Sequence, residues 1–271
     1  MTDFIEQDLS GSRFERVHLR GATFHQVHLN DATIRDADLS GISIRGAWMK
    51  GARLTGVELV DAQIYGELVN VTVNGVEIGP LVEAELNRRM PERAKMRPET
   101  PAGFGEAWQI LERLWAETVE RARTFPPEAL DERVDGEWSF IQTLRHLGFA
   151  TACWVNRTIL GEPTPYHPLE LPWEEAPDWE AIKLDIDARP PLDEVLALRA
   201  GRQATVREVI DGLTPEKLSS EVSPVGPGWP EEGMTVSVGD ALRVVLNEEW
   251  EHRLYAERDL DALESAPNKE N

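Results

Sequence analysis

The sequence predicts a mixed chain of two domains, a small square coil followed by an all-α antiparallel four-helix bundle with crossover connections, and three observations carry that prediction. Large apolar residues recur at every fifth position from Phe4 to Ile64, a period that neither helix nor strand possesses. Beyond residue 100, four segments carry apolar residues at helical spacing, with capping residues at their ends. Two long, proline- and tryptophan-bearing connections separate the later helices, as a bundle with crossovers requires.

The repeat comes first in the chain. Phe4, Leu9, Phe14, Leu19, Phe24, Leu29, Ile34, Leu39, Ile44, Met49, Leu54, Leu59 and Ile64 are its centres, and Ala22, Ala32, Ala37, Ala47, Ala52 and Ala62 lie two places before a centre. A five-residue period suits a coil with four faces, one pentad to a face, so that about twenty residues complete a turn and each large centre points inward. Segments such as ATIRDADLSG and GARLTGVELVDAQIYG resemble the pentapeptide-repeat family. That resemblance implies a right-handed quadrilateral β-helix of three or four turns, short enough that its apolar end needs a cap or a partner surface. Some members of the family imitate DNA, but this repeat carries Arg13, Arg16, Arg20, Arg35, Arg45, Lys50 and Arg53 and has no acidic stripe to stand for phosphates. His18, His25 and His28 fall on different faces of a five-period coil and read as solvated.

NVTVNGVEIG follows, with β-formers alternating around Asn74-Gly75, the dipeptide of a tight hairpin turn, and is expected to close the coil. Pro80 then opens a short amphipathic helix through LVEAELNRRM, and PERAKMRPETPAG is a proline-marked linker. The expected divisions are 1–78 for coil and hairpin, 79–100 for helix and linker, 101–264 for the bundle and 265–271 for a disordered tail.

Within the bundle, the first helix is expected from Phe104 to Phe125, with Trp108, Leu111, Leu114, Trp115 and Val119 on its inner stripe. A second runs from the capping box Ser139-x-x-Gln142 to Gly161. A third covers Leu192 to Ile210 and stops at Asp211-Gly212, and a fourth opens at the Ser237–Asp240 cap.

Charge narrows the partners. The formal net charge is -21, from 49 acidic and 28 basic residues, and residues 1–70 hold only ten of the acidic ones against seven basic ones. An acidic bundle surface repels nucleic acid and anionic lipid, so neither is an expected partner. No run of apolar residues reaches membrane-spanning length and no leader pattern opens the chain, which places it in the cytoplasm, in keeping with its single cysteine, Cys153.

Two helices hold candidate ligands. His146 lies among Leu144, Leu147 and Phe149, where a polar ring needs a partner, and Glu248 precedes His252 by four residues on the inner stripe of the last helix. Two imidazoles and a carboxylate suit a divalent cation and leave coordination positions open. On spacing alone, the alternative stands that Glu248 is surface charge and both histidines are satisfied core residues. Glu249 offers a second carboxylate if the helix is rotated.

GEWSFIQTLRHLGFATACW and VVLNEEWEHRLYAERDL resemble the metal-bearing helices of DinB-like proteins, which place one His on the second helix and a His-x-x-x-His pair on the last. Here Glu248 stands where the first histidine of that pair is expected. The resemblance implies a site of His146, Glu248 and His252 for Zn, with Ni or Fe as alternatives. It further implies use of a low-molecular-weight thiol, as in the maleylpyruvate isomerases and thiol S-transferases of the same kind. A small-molecule electrophile or thiol is then the partner, with Trp154, Arg157 and Trp250 as substrate contacts and Arg253 as a second arginine for a carboxylate. The rival expectation is a non-catalytic metal-binding or scaffold protein, whose coil recruits a protein partner or a second copy. Cys153 reads as a buried apolar group, and His167 as a loop residue able to close over the site.

Overall fold

The computed structural model describes residues 3–174, 176–177 and 181–265. Contacts divide the chain into two compact units, Met1–Tyr65 and Gly66–Asn271.

The first unit carries the period of five in its backbone. Every fifth residue from Glu6 to Gly66 has positive φ, at Gly11, Gly21, Gly41, Gly46, Gly51, Gly56 and Gly66 but also at Glu6, Arg16, Gln26, Asp31, Asp36 and Asp61. Glycine reaches that conformation without strain, and aspartate more readily than most residues. Alternate corners close with an i to i+3 hydrogen bond of 3.0–3.1 Å, from Ser12 N–H to Leu9 O through to Ala52 N–H to Met49 O. The expected inward burial is not found. Among the described residues of this unit there is no strand, and the apolar centres from Phe4 to Ile64 are 39% to 71% exposed. The turns are satisfied locally, and a rung without backbone bonds to the next does not draw its apolar centre over its neighbour's.

The second unit opens on the Asn74-Gly75 hairpin. Strands β1 (Thr72–Val73) and β2 (Val76–Glu77) pair antiparallel with Val73 opposite Val76. Both turn residues have positive φ, as a two-residue turn of this hand requires. The hairpin groups with the helical unit. Helix α1 (Gly79–Arg89) follows, with Pro80 in its first turn, and a 3-10 segment (Pro91–Met96) leads into the bundle.

The four bundle helices start and stop where their caps direct. Thr100 caps α2 (Pro101–Ala122) through Gly103 N–H, one turn earlier than expected, because Pro101 fits the first helical position. Ser139 and Gln142 form both halves of a capping box for α3 (Phe140–Thr151), which continues in π winding from Ala152 to Ile159 before Gly161 turns the chain. Helix α4 spans Leu192–Asp211. After a short α5 (Pro215–Ser219), α6 runs from Val238 to Ser265, its start held by the Ser237 hydroxyl on Asp240 N–H. The tail expected from 265 lies, beyond Ser265, outside the described residues.

Two apolar clusters fill the bundle. Phe104, Trp108, Leu111, Val206, Ile210, Leu242, Val245 and Trp250 form one, and Trp115, Ile141, Leu144, Leu147, Val195, Ala256 and Leu260 the other. Each fully buried side chain of this size contributes about 1.5–3 kcal/mol.

Two buried arginines hold the long connections in place. Arg145, 1% exposed, donates to Leu169 O (2.7 Å), Ala188 O (2.6 Å), Asp185 O (2.5 Å) and Ile186 O (3.4 Å), gathering the α3–α4 connection onto α3. Arg157 does the same for the second connection, donating to Val225 O (2.8 Å), Pro230 O (2.6 Å) and Gly226 O. That connection is closed at its base by β3 (Glu221–Val222) and β4 (Val236–Ser237), paired antiparallel. The connections also meet each other, with Tyr166 donating to Pro227 O and Trp173 packed edge-on against Trp229.

Candidate metal centre

His146 and the pair Glu248–His252 come from α3 and α6, and the bundle brings them together. Each offers a ligand atom within 4.8 Å of the others. Nε2 of His146 lies 3.4 Å, and Nε2 of His252 3.1 Å, from Glu248 Oε2. Ligand atoms about 2.05 Å from a tetrahedral ion are roughly 3.3 Å apart, so these spacings match the edges of such a site. Four-residue spacing is what aims Glu248 and His252 the same way, since they stand one above the other on α6.

The orientation of His146 is set from behind. Its Nδ1 lies 3.0 Å from the carbonyl of Leu171, on the connection that Arg145 holds. A carbonyl only accepts, so Nδ1 carries the proton, and burial drives the imidazole pKa down and keeps the ring neutral. Nε2 then presents a lone pair to a carboxylate oxygen. A charged carboxylate facing an imidazole lone pair is a donor set suited to a cation, and two neutral imidazoles with one carboxylate leave a dication a net positive charge and an open position.

The surroundings of this group are aromatic. The Trp138 ring lies 4.4 Å from that of His146 and 5.7 Å, nearly parallel, from that of His252. Tyr255 meets His252 edge-on at 5.8 Å. Phe149 is 6.4 Å from His146 and continues to Tyr166 and Trp173. Trp138 has no periodic signal in the sequence, but its place immediately before the capping box of α3 seats it over the first turns of that helix.

The other expected contacts lie elsewhere. Arg157 is 0% exposed and its guanidinium serves three carbonyls of the second connection, so it is a structural residue and not a carboxylate clamp. Trp250, 4% exposed, belongs to the apolar core, and Trp154 packs against the same cluster. Arg253 donates to Leu114 O and Thr118 Oγ1, joining α6 to α2. His167 uses Nδ1 to accept from Leu169 N–H within its own loop. Cys153 is buried, and loss of solvent pushes its thiol pKa far up, as expected of an apolar filler.

Glu249 does not compete with Glu248. It is 1% exposed, and both its oxygens receive Arg199, at 2.5 and 3.1 Å.

Among the described residues, no helix is long and apolar enough to cross a membrane. Nothing among the curated proteins and nothing among the solved structures matches the chain. Pentapeptide repeats match residues 2–36, and the DinB superfamily matches residues 110–256, more than half of the chain and the part that contains α3, most of α6 and the three converging side chains. The chain belongs to the DinB superfamily and carries pentapeptide repeats ahead of its helical domain.

Proposed function

We propose that this protein is a metal-dependent enzyme of the cytoplasm that activates a low-molecular-weight thiol toward a small electrophile, at a divalent ion held by His146, Glu248 and His252. The observation that carries the reading is the Nδ1 contact of His146 with Leu171 O, which turns Nε2 toward a carboxylate that His252 also faces. Zinc suits two imidazoles and a carboxylate best, with nickel or iron as alternatives. A bound dication supplies a Lewis-acid position that lowers the pKa of a coordinated thiol.

The chain's own residues do the rest. Leu171 O fixes the tautomer and angle of His146, an arrangement whose loss typically costs 10–100-fold in metal affinity. Trp138 covers one side of both imidazoles and excludes water from it. Thiol chemistry rests on the family resemblance, and the electrophile is a small molecule.

The repeat favours a second reading, a metal-binding scaffold in which the N-terminal part recruits a protein or a second copy of the chain. Its exposed apolar centres, from Phe4 to Ile64, support this, since apolar surface exposed beyond scattered single residues marks interaction sites. In that reading the repeat closes into a right-handed quadrilateral β-helix when its partner covers it.

Metal analysis combined with thiol binding separates the two. The enzyme reading expects stoichiometric Zn²⁺ or Ni²⁺ uptake and a thiol that binds only to the loaded protein. Metal uptake without thiol binding supports the scaffold, and a purified chain that takes up neither ion removes the enzyme reading.

A further inference from the structure

A buried ion pair lies one residue away from the metal centre. Glu249 and Arg199 are 1% and 4% exposed and form a two-point ion pair between α6 and α4. Trp115 of α2 braces the pair twice. Its ring lies 4.6 Å from the Arg199 guanidinium carbon, and its indole N–H donates to the Glu249 carbonyl at 3.2 Å. Three helices therefore meet at a single residue of α6. The fourth, α3, brings His146.

Apolar contacts position a helix loosely in rotation, because ridges slide over grooves at little expense, whereas a bidentate ion pair with a fixed backbone acceptor has one geometry. Arg199 lies between Val195 and Val206 on α4, and these two belong to different apolar clusters. The pair thus sits between two apolar clusters, and a buried ion pair is better understood as a device for specificity than for stability. Glu248 and Glu249 are consecutive and project about 100° apart on a helix. Holding Glu249 against Arg199 consequently decides which face of α6 is turned to His146. A rotation of 10° moves an atom about 6 Å from the helix axis by roughly 1 Å, several times the ±0.2 Å tolerance of a metal–ligand bond.

We infer that Glu249, Arg199 and Trp115 are positioning residues, a rotational clamp on α6 that aligns Glu248 and His252 with His146 and sets the affinity and geometry of the site. This rests on the metal reading given above. It also explains why two adjacent glutamates have different fates, one offered to an ion and one withheld from it.

The test uses the full-length chain with both charges replaced together, Arg199→Met and Glu249→Met, so that no unpaired charge is left buried. Zn²⁺ affinity is measured by chelator competition, and the Co²⁺ visible spectrum reports coordination geometry. Histidine side-chain ¹⁵N shifts of the metal-free protein report the His146–Glu248 contact independently of any ion. The clamp predicts that the double variant keeps its helical content, loses at least tenfold in Zn²⁺ affinity, changes the Co²⁺ spectrum and shifts the metal-free histidine signals. Trp115→Phe, which keeps the ring and deletes the bond to Glu249 O, should lose about threefold and decides the matter if the double variant does not fold. Wild-type Zn²⁺ affinity, Co²⁺ spectrum and histidine shifts in a folded variant overturn the clamp. If the wild-type chain binds no ion, the metal reading fails, and the histidine shifts alone decide whether the clamp aligns these side chains.

Discussion

Replacing Arg145 with methionine removes the donor that holds the α3–α4 connection while preserving much of the side chain's apolar stem. Three carbonyls, of Leu169, Asp185 and Ala188, lose donors at 2.5–2.7 Å, and Ile186 O loses a longer contact. A carbonyl left without a partner costs up to about 1–3 kcal/mol where water is excluded, and three such losses together favour release of the connection. The segment is therefore expected to loosen until water reaches the carbonyls, which limits the global loss to about 3–5 kcal/mol, the range of the most damaging single substitutions. The effect reaches the site, because Leu169, whose carbonyl loses its donor, is two residues from Leu171, whose own carbonyl orients His146. Zn²⁺ affinity should fall by about tenfold or more. Hydrogen exchange over residues 162–174 and 181–191, with denaturant unfolding of the metal-free chain, reads both effects. Unchanged exchange in those segments together with a loss below about 1 kcal/mol would refute the reasoning.

The remaining expectations concern caps, close contacts and the thiol. Ser237→Ala should destabilise the chain by about 1 kcal/mol, read by denaturant unfolding, through loss of the cap at Asp240 N–H. The Ser237 hydroxyl and Arg243 hold the Asp240 carboxyl below its ordinary pKa. The unfolded chain therefore binds the proton more readily, and this contribution should be complete above the ordinary aspartate range and disappear as pH falls below it; a variant equally destabilised at low pH contradicts the assignment. Gly226→Ala places a β-carbon 2.5 Å from Pro163 O at φ +72°, and thermal or chemical unfolding should show a loss of roughly 3 kcal/mol. Cys153 should remain unreactive toward Ellman's reagent in the native chain and give one equivalent in denaturant; rapid native labelling would show that it is not buried as described.

What was legible in the sequence was whatever a local rule controls. Capping residues marked the starts of α3 and α6, Asn74-Gly75 marked a hairpin, and the five-residue period reappears as positive φ at every fifth residue of the first unit. The i, i+4 spacing of Glu248 and His252 and the lone polar ring of His146 among apolar neighbours were enough to select the residues that converge. Long-range pairings were not legible. That Glu249 faces Arg199 and Glu248 faces His146 depends on helix rotation, which apolar periodicity defines only to within about one residue. Arg157 looked like a ligand-binding arginine and nothing marked Arg145, because their acceptors are backbone carbonyls that no sequence pattern advertises. Trp138 carries no sequence signal for a related reason. It precedes its helix, and what it stacks on is assembled only when α3 and α6 pack. In the repeat, a correct period did not bring inward burial, since burial needs rung-to-rung bonding as well as a pattern.

The central claim is that His146, Glu248 and His252 act together on one divalent ion. Its most direct test is the zinc stoichiometry and affinity of the full-length chain, measured side by side with His146→Ala and His252→Ala after apo preparation and reloading. One tightly held ion per wild-type chain and loss of that ion from both variants, with helical content retained, is the expected result. A wild-type chain that holds none, or a His252→Ala variant that holds as much as wild type, would contradict it.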